Sequence, residues 1–203
     1  EIGSGWGGFA IYAAQNYGCH VTTTTISEQQ YVYVKNKIKQ LGLIKKIKLL
    51  KKDYRQLSGK YNKLVSIEMI EAVGHQFYDT YFGKISNLLT EDGDAVIQAI
   101  TIRDQRYQEA LKSVDFIQKY IFPGSTIPSL NSIQNSLTRS TNMTIFNIQD
   151  IGDDYAKTLN DWKKRFTSQK KEIAKLGFDE HFMRMWFFYF CYCEGEFKEK
   201  VIS

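Results

Sequence analysis

Two stretches of this chain carry residue types that chemistry can use. The first eight residues, EIGSGWGG, hold four glycines. Gly3, Gly5 and Gly8 fit the G-x-G-x-x-G spacing of dinucleotide sites, where a backbone without Cβ atoms turns tightly and lets a ligand lie against it. Further on, VSIEMIE puts Glu68 and Glu71 at the end of an apolar run. If that run is a strand, a carboxylate at its carboxyl end faces the crevice where open α/β sheets bind ligands. Glu71 is the leading candidate to do so and Glu68 the alternative. No Lys-Ser or Lys-Thr pair follows the glycines, which excludes a phosphate-binding loop of the nucleotide triphosphatase kind. A nicotinamide or flavin dinucleotide needs an acid about twenty residues on to hold its ribose. That stretch reads VTTTT, so the dinucleotide loses its second anchor. S-adenosylmethionine, whose methionine portion can lie against a glycine turn, is the third option. His20, His75 and His181, with Cys19, Cys191 and Cys193, show no metal-ligand spacing, and no metal is expected.

Those groups need an α/β framework to position them, and the periodicity supplies one. A helix after the glycines would bury Phe9, Ile11, Tyr12 and Ala14 and stop at Gly18. CHVTTTTI reads as a strand, and Ser27 caps a helix that runs to about Leu41, with Gly42 as its stop. IKLLKKD and KLVSIEM read as strands and FYDTYFGKISNLL as a helix. DAVIQAITI is a fourth strand, long and apolar as a buried parallel strand should be. The rhythm predicts a doubly wound, Rossmann-like α/β sheet with its ligand at the carboxyl ends of the strands. Residues 103–142 break the rhythm with a polar helix and YIFPGSTIPSL, an insertion sized for a lid or substrate-binding element over the ligand edge. Two helices follow, at about 153–175 and 178–193. MWFFYFCYC in the second reads as a helix packed on the sheet, with an acyl-chain channel as the alternative. Only Glu1 and Ile2 precede the glycine turn, and EFKEKVIS reads as a strand just beginning. The expectation is one catalytic domain cut at both ends.

Bulk properties narrow the partners. A chain of 203 residues is long enough for one full hydrophobic core. The formal charge of +5 is compatible with an anionic surface but too small to mark a nucleic-acid binder, and no nucleic acid is expected. No apolar run is long enough to cross a bilayer and no signal peptide is visible. Three cysteines, an odd number, read as those of a reduced, cytoplasmic protein.

The segments EIGSGWGG, TISEQQ, KDYR, SIEMIEAVG, YDTYF, QAITI, FIQKYIFPG, IPS and GDDYAKTLNDWKKRF occur in the order found in cyclopropane-fatty-acyl-phospholipid synthases. From residue 1 to about residue 198 the chain resembles the catalytic domain of that family, which includes the mycolic acid cyclopropane synthases. The resemblance implies a class I methyltransferase fold with S-adenosylmethionine as cofactor and a bound bicarbonate ion. Glu1, Gly3, Gly5 and Gly7 match the family's first cofactor motif. Thr25, Ile26 and Gln30 match the segment that holds the ribose, and Asp53 and Tyr54 the segment beside the adenine. Each has a plainer reading: Ser27 to Gln30 is also a capping box, and Asp53 a turn residue. In the family, bicarbonate is the base, held by a glutamate, a tyrosine, a histidine and backbone amides. Glu71 and Tyr155 match the first two, and Ile67 and Ile100 lie in the matching strand-end segments. Gln98 stands where the family has the histidine, and Ala72 where many members have a second. The expected catalytic residues are thus Glu71, Tyr155 and Gln98. The family's amino-terminal segment, which closes over the cofactor, is absent from these residues.

The expected activity is transfer of a methylene or methyl group from S-adenosylmethionine to the double bond of an unsaturated phospholipid acyl chain, giving a cyclopropane fatty acid. Such an enzyme would be cytoplasmic, peripheral at the inner membrane face, with a homodimer left open. C-methylation to a branched chain, small-molecule N-methylation and a lipid-binding paralogue without turnover are the alternatives.

Overall fold

The computed structural model describes residues 1–203. In chain order the elements are α1 (Gly8–Asn16), β1 (Val21–Thr25), α2 (Glu28–Gln40), β2 (Ile47–Lys51), β3 (Tyr61–Ile67), α3 (Tyr78–Leu88), β4 (Leu89–Gln98), α4 (Asp104–Ala110), α5 (Leu130–Ser140), α6 (Gly152–Ser168), α7 (Lys170–Lys175) and α8 (Glu180–Lys198). A π-helical turn, Ile117–Ile121, lies between α4 and α5. The chain forms two compact units, Glu1–Ala99 with Ile133–Thr144, and Ile100–Ser132 with Ile145–Ser203. The 103–142 segment is therefore shared between them.

The first unit holds the parallel sheet. β1 pairs β2 from Val21↔Ile47 to Thr25↔Lys51, and β3 pairs β4 from Lys63↔Asp94 to Ile67↔Gln98. Ile2 joins the two pairs, bridging Thr24 on one side and Ser66 on the other, both parallel. The resulting order is β2, β1, Ile2, β3, β4. Four consecutive threonines suit a strand because their branched Cβ favours extended backbone. Three of them are buried, and each hydroxyl is satisfied: Thr23 donates to Glu1 Oε2 (2.6 Å), Thr24 to the Lys52 carbonyl (2.6 Å) and Thr25 to Gln30 Oε1 (2.7 Å). Without those partners a buried hydroxyl would cost roughly 1–3 kcal/mol.

Two expectations about this unit need correction. Tyr12 is 56% exposed, because α1 buries the small face Ala10, Ala13 and Ala14 instead, packed with Val34 and Ile38 of α2. β4 starts directly at Leu89, ends at Gln98 and is not a fully buried strand, since Val96 is 62% exposed. Its other face contributes Ala95 and Ile97 to the core around Phe82 and Ile85 of α3.

The second unit is built on α6 and α8, whose inner faces join Ala156 and Leu159 to Phe190, Cys193 and Phe197. Met183, Phe190, Cys193 and Phe197 recur at helical spacing, which carries α8 through EFK to Lys198. The expected terminal strand therefore shrinks to Ile202, which bridges Ile102 antiparallel. The buried face of the aromatic run packs on α6, where a sheet was expected.

Between these helices Glu194 is 5% exposed and accepts from Lys163 (2.5 Å), Lys198 (2.5 Å) and Asn160 (2.9 Å). The lysine hydrogen bonds hold its carboxyl down to about 2, against an ordinary 4.5. A depressed carboxylate contributes stability above its unfolded pKa and loses it as pH falls through the folded one. Glu194→Gln should therefore lower stability at pH 7 by about 2 kcal/mol, a cost discounted for the exposure of Lys198. In urea melts the gap to the unsubstituted protein should close as pH falls from about 5 towards 2.

Candidate active site

The glycine turn leaves Ile2 at the carboxyl edge of the sheet. Gly3, Gly5 and Gly7 have φ of 91°, 48° and 85°, the left-handed region that residues with a Cβ avoid. Gly8 is the first residue of α1, so the turn uses 3-5-7 spacing where the dinucleotide pattern uses 3-5-8. A Cβ on Gly7 would sit 3.0 Å from Val34 Cγ1 and 3.3 Å from Ile11 Cδ1. A Cβ on Gly5 would meet nothing within 4 Å, so bare backbone there opens onto free space. Trp6 stands beside it, 59% exposed and edge-on to Tyr33 at 5.3 Å.

Glu1 lies beneath the turn, its carboxylate on the Thr23 hydroxyl; burial raises its pKa and that hydrogen bond opposes the rise. At the end of β1, Thr25 ties down Gln30 Oε1, which leaves the amide nitrogen to donate. Only half of the capping box forms: Ser27 Oγ accepts from Gln30 N (3.3 Å), while Ser27 N donates to Thr25 Oγ1 (3.1 Å). Ile26 is 74% exposed. Asp53 caps the short 3-10 turn Tyr54–Gln56, accepting from Arg55 N at 2.8 Å and from the Arg55 guanidinium at 2.9 Å on each oxygen. The Arg55 hydrogen bonds hold its pKa below the usual carboxylate value. Tyr54 is buried, edge-on to Tyr81 at 5.7 Å.

The ends of β3 and β4 bring two further predicted residues side by side, Ile67 and Gln98. Immediately after Ile67, Glu68 turns to φ 48°, left-handed without being glycine. Its N–H donates to the Gln98 carbonyl (2.8 Å), and Gln98 Nε2 donates to its Oε1 (2.9 Å). The next residue, Met69, has its Sδ 3.7 Å from where a Gly3 Cβ would stand, so this edge adjoins the glycine turn. Glu71 follows in the short turn Ile70–Ala72, with Oε2 buried. Below it, Tyr81 donates to Ser66 Oγ (2.7 Å) and Ser66 to the Ile2 carbonyl (3.2 Å). Burial raises the Tyr81 pKa and the negative charge of Glu71 adds to the rise. Ala72 is exposed.

Tyr155 and Ile100 belong to the second unit. The Tyr155 ring stacks on Phe197 at 4.6 Å and meets Trp162 edge-on at 6.3 Å; Ile100 packs against the same core. Glu68 is the residue the sequence weighed second and the structure makes prominent. Its apolar flank marks a strand end, but nothing in the sequence announces a left-handed glutamate.

A parallel sheet that ends in a left-handed glycine turn, with Glu68 and Glu71 just past the neighbouring strand end, is that of a Rossmann-like, class I methyltransferase fold. The mycolic acid cyclopropane synthetase family matches residues 1–203, and the chain belongs to that family. It is 37% identical over 203 residues to the tuberculostearic acid methyltransferase UfaA1 of Mycobacterium tuberculosis, covering all of this chain and 47% of that protein. Against the cyclopropane-fatty-acyl-phospholipid synthase of Escherichia coli K12 it is 33% identical, covering all of this chain and 50% of the other. The chain thus spans about half the length of the curated relatives it matches. Among solved structures, mycolic acid cyclopropane synthase CmaA1 complexed with SAH and CTAB superposes with a TM-score of 0.89 at 26% identity, over 99% of this chain and 74% of that one. Cyclopropane synthase MmaA2 from Mycobacterium tuberculosis shares the fold at the same TM-score and 23% identity, over 99% of this chain and 73% of that one.

The glycines make a stability prediction. Gly5→Ala should cost about 1–2 kcal/mol for the left-handed backbone alone. Gly7→Ala adds a close approach to Val34, and should cost about 1–3 kcal/mol more. Equal urea midpoints for the two variants would contradict this packing.

Proposed function

We propose that this chain is the catalytic part of an S-adenosylmethionine-dependent methyltransferase that acts on the double bond of an unsaturated phospholipid acyl chain. The observation that carries the reading is the bare glycine turn with Glu68, Gln98 and Glu71 set in the adjoining sheet edge, in a chain of this family. S-adenosylmethionine supplies an electrophilic methyl on a sulfonium. The open space at Gly5 fits its methionine portion against backbone, and we assign its binding to Glu1, Gly3, Gly5, Gly7, Thr25, Ile26, Gln30, Asp53 and Tyr54. Gln30 presents an amide N–H suited to a ribose oxygen. Asp53 must share its carboxylate between Arg55 and an adenine amine.

An isolated double bond is a weak nucleophile, so positioning and exclusion of water must supply much of the rate. Methylation leaves a carbocation on the acyl chain, which a buried carboxylate stabilises; that role goes to Glu71. The bicarbonate ion implied by the resemblance fits less well, because Gln98 Nε2 already donates to Glu68, and no step is routed through that ion. A phospholipid remains in its bilayer, so the enzyme works at a membrane surface. The +5 charge favours anionic lipid, and we place it at the cytoplasmic face.

A second reading keeps the substrate class and changes the product. The similarity to a tuberculostearic acid methyltransferase supports this reading, a methyl or methylene branch in place of the ring.

Glu71→Gln should fold, bind cofactor nearly as well and lose roughly a hundredfold or more in turnover, because a neutral amide cannot stabilise the cation. The measurement is mass spectrometry of phospholipids from cells expressing the whole protein. Gain of one CH2 marks a ring, a methylene branch or a methyl group on a retained double bond, while a saturated methyl branch also requires two hydrogens from a reductant. Near-normal turnover by Glu71→Gln would sink the mechanism while leaving the fold standing.

A further inference from the structure

Glu68 combines two features that the proposed cofactor and cation-stabilising roles do not use. It holds a left-handed backbone, φ 48°, although it carries a Cβ. Such conformations persist where the surroundings over-determine them, and they cluster at functional sites. Here the constraint is visible: main chain and side chain of Glu68 both bond Gln98, at 2.8 Å and 2.9 Å. The carboxylate is thereby fixed on the carboxyl edge of the sheet, one residue before Met69, which lines the glycine turn at Gly3. Gln98 is also the position from which the resemblance has an anion held. An external anion there would share one carboxamide with a fixed carboxylate of its own charge. The residues present therefore do not suit bicarbonate; they supply an anion of their own.

We propose that Glu68 is a catalytic residue whose carboxylate, held by Gln98, accepts the proton released by the methylated acyl chain, in place of external bicarbonate. This rests on the proposed methyl transfer to an acyl chain. Once the chain carbon has taken the methyl and the neighbouring carbon is cationic, a C–H bond of that methyl breaks. The proton goes to a Glu68 oxygen. The bonding pair closes a C–C bond to the cationic carbon, so a neutral three-membered ring and a neutral carboxylic acid result. Loss of that proton to solvent between turnovers restores the carboxylate. Gln98 is a positioning residue in this scheme.

The test uses the whole protein with vesicles of monounsaturated phosphatidylglycerol in carbon-dioxide-free buffer, and two variants. Unsubstituted protein should turn over equally with and without added bicarbonate. Glu68→Gln should bind SAH normally yet lose roughly a hundredfold or more in turnover, with no rescue by bicarbonate. Glu68→Gly accepts the left-handed backbone and vacates the site, so its turnover should fall and then recover at least about tenfold on adding bicarbonate. Independently of turnover, the 13C resonance of labelled bicarbonate should broaden with Glu68→Gly and stay sharp with the unsubstituted protein. Bicarbonate-dependent turnover or broadening by the unsubstituted protein, or a Glu68→Gln variant with full activity, would overturn the assignment. If no unsaturated phospholipid gained CH2, the acyl-chain reading would fail, and the 13C comparison would still decide whether Glu68 excludes the ion.

Discussion

The first unit depends on the main chain of one residue. Ile2, 1% exposed, donates its N–H to Val65 and accepts from Ser66 Oγ, while Ser4 N beside it bonds Thr24. Without that seam β1 with β2 and β3 with β4 are two separate ribbons, each with an unpaired edge in the interior, and buried unpaired backbone groups are costly. A parallel sheet also has to have its faces covered. Alanine-faced α1 packs close on one side, and Tyr81, Phe82 and Ile85 of α3 fill the other.

The same seam sets the chemistry. Gly3 must leave the sheet directly after Ile2, and the left-handed turn through Gly7 feeds the first turn of α1. On either side of Ile2 the neighbouring strand ends carry polar groups held by local partners: Thr25 on Gln30, and Glu68 on Gln98. Ligand crevices of open α/β sheets lie at this topological position because the strand order reverses there and the loops diverge. The Tyr81–Ser66–Ile2 chain of hydrogen bonds ties the floor of the carboxylate edge to the central residue.

The second unit is stabilised differently. Its core is aromatic and helical, and its buried charge, Glu194, has two lysines and an asparagine as partners. A buried carboxylate without them would be strongly destabilising, so Lys163, Lys198 and Asn160 act as one group with it.

Much of the framework followed from sequence alone, for a local reason. Runs of β-branched residues, a serine cap at Ser27 and a glycine after α2 are decided by neighbours a few positions away, and β1, α2, β2 and α3 stand close to where those signals put them. The 3-5-7 glycines are likewise legible as letters, and the family motifs name Glu71, Gln98 and Tyr155 as candidates. What only the tertiary structure decided depends on long-range pairing. The end of β4 at Gln98 and the exposure of Val96 follow from which strand lies alongside and which face a helix covers. The continuation of α8 to Lys198 follows from the face it shares with α6. Above all, Glu68 was an alternative in the sequence because a positive φ at a glutamate has no composition or period. It arises only when Gln98, thirty positions further along the chain, supplies both a carbonyl and an amide to hold it.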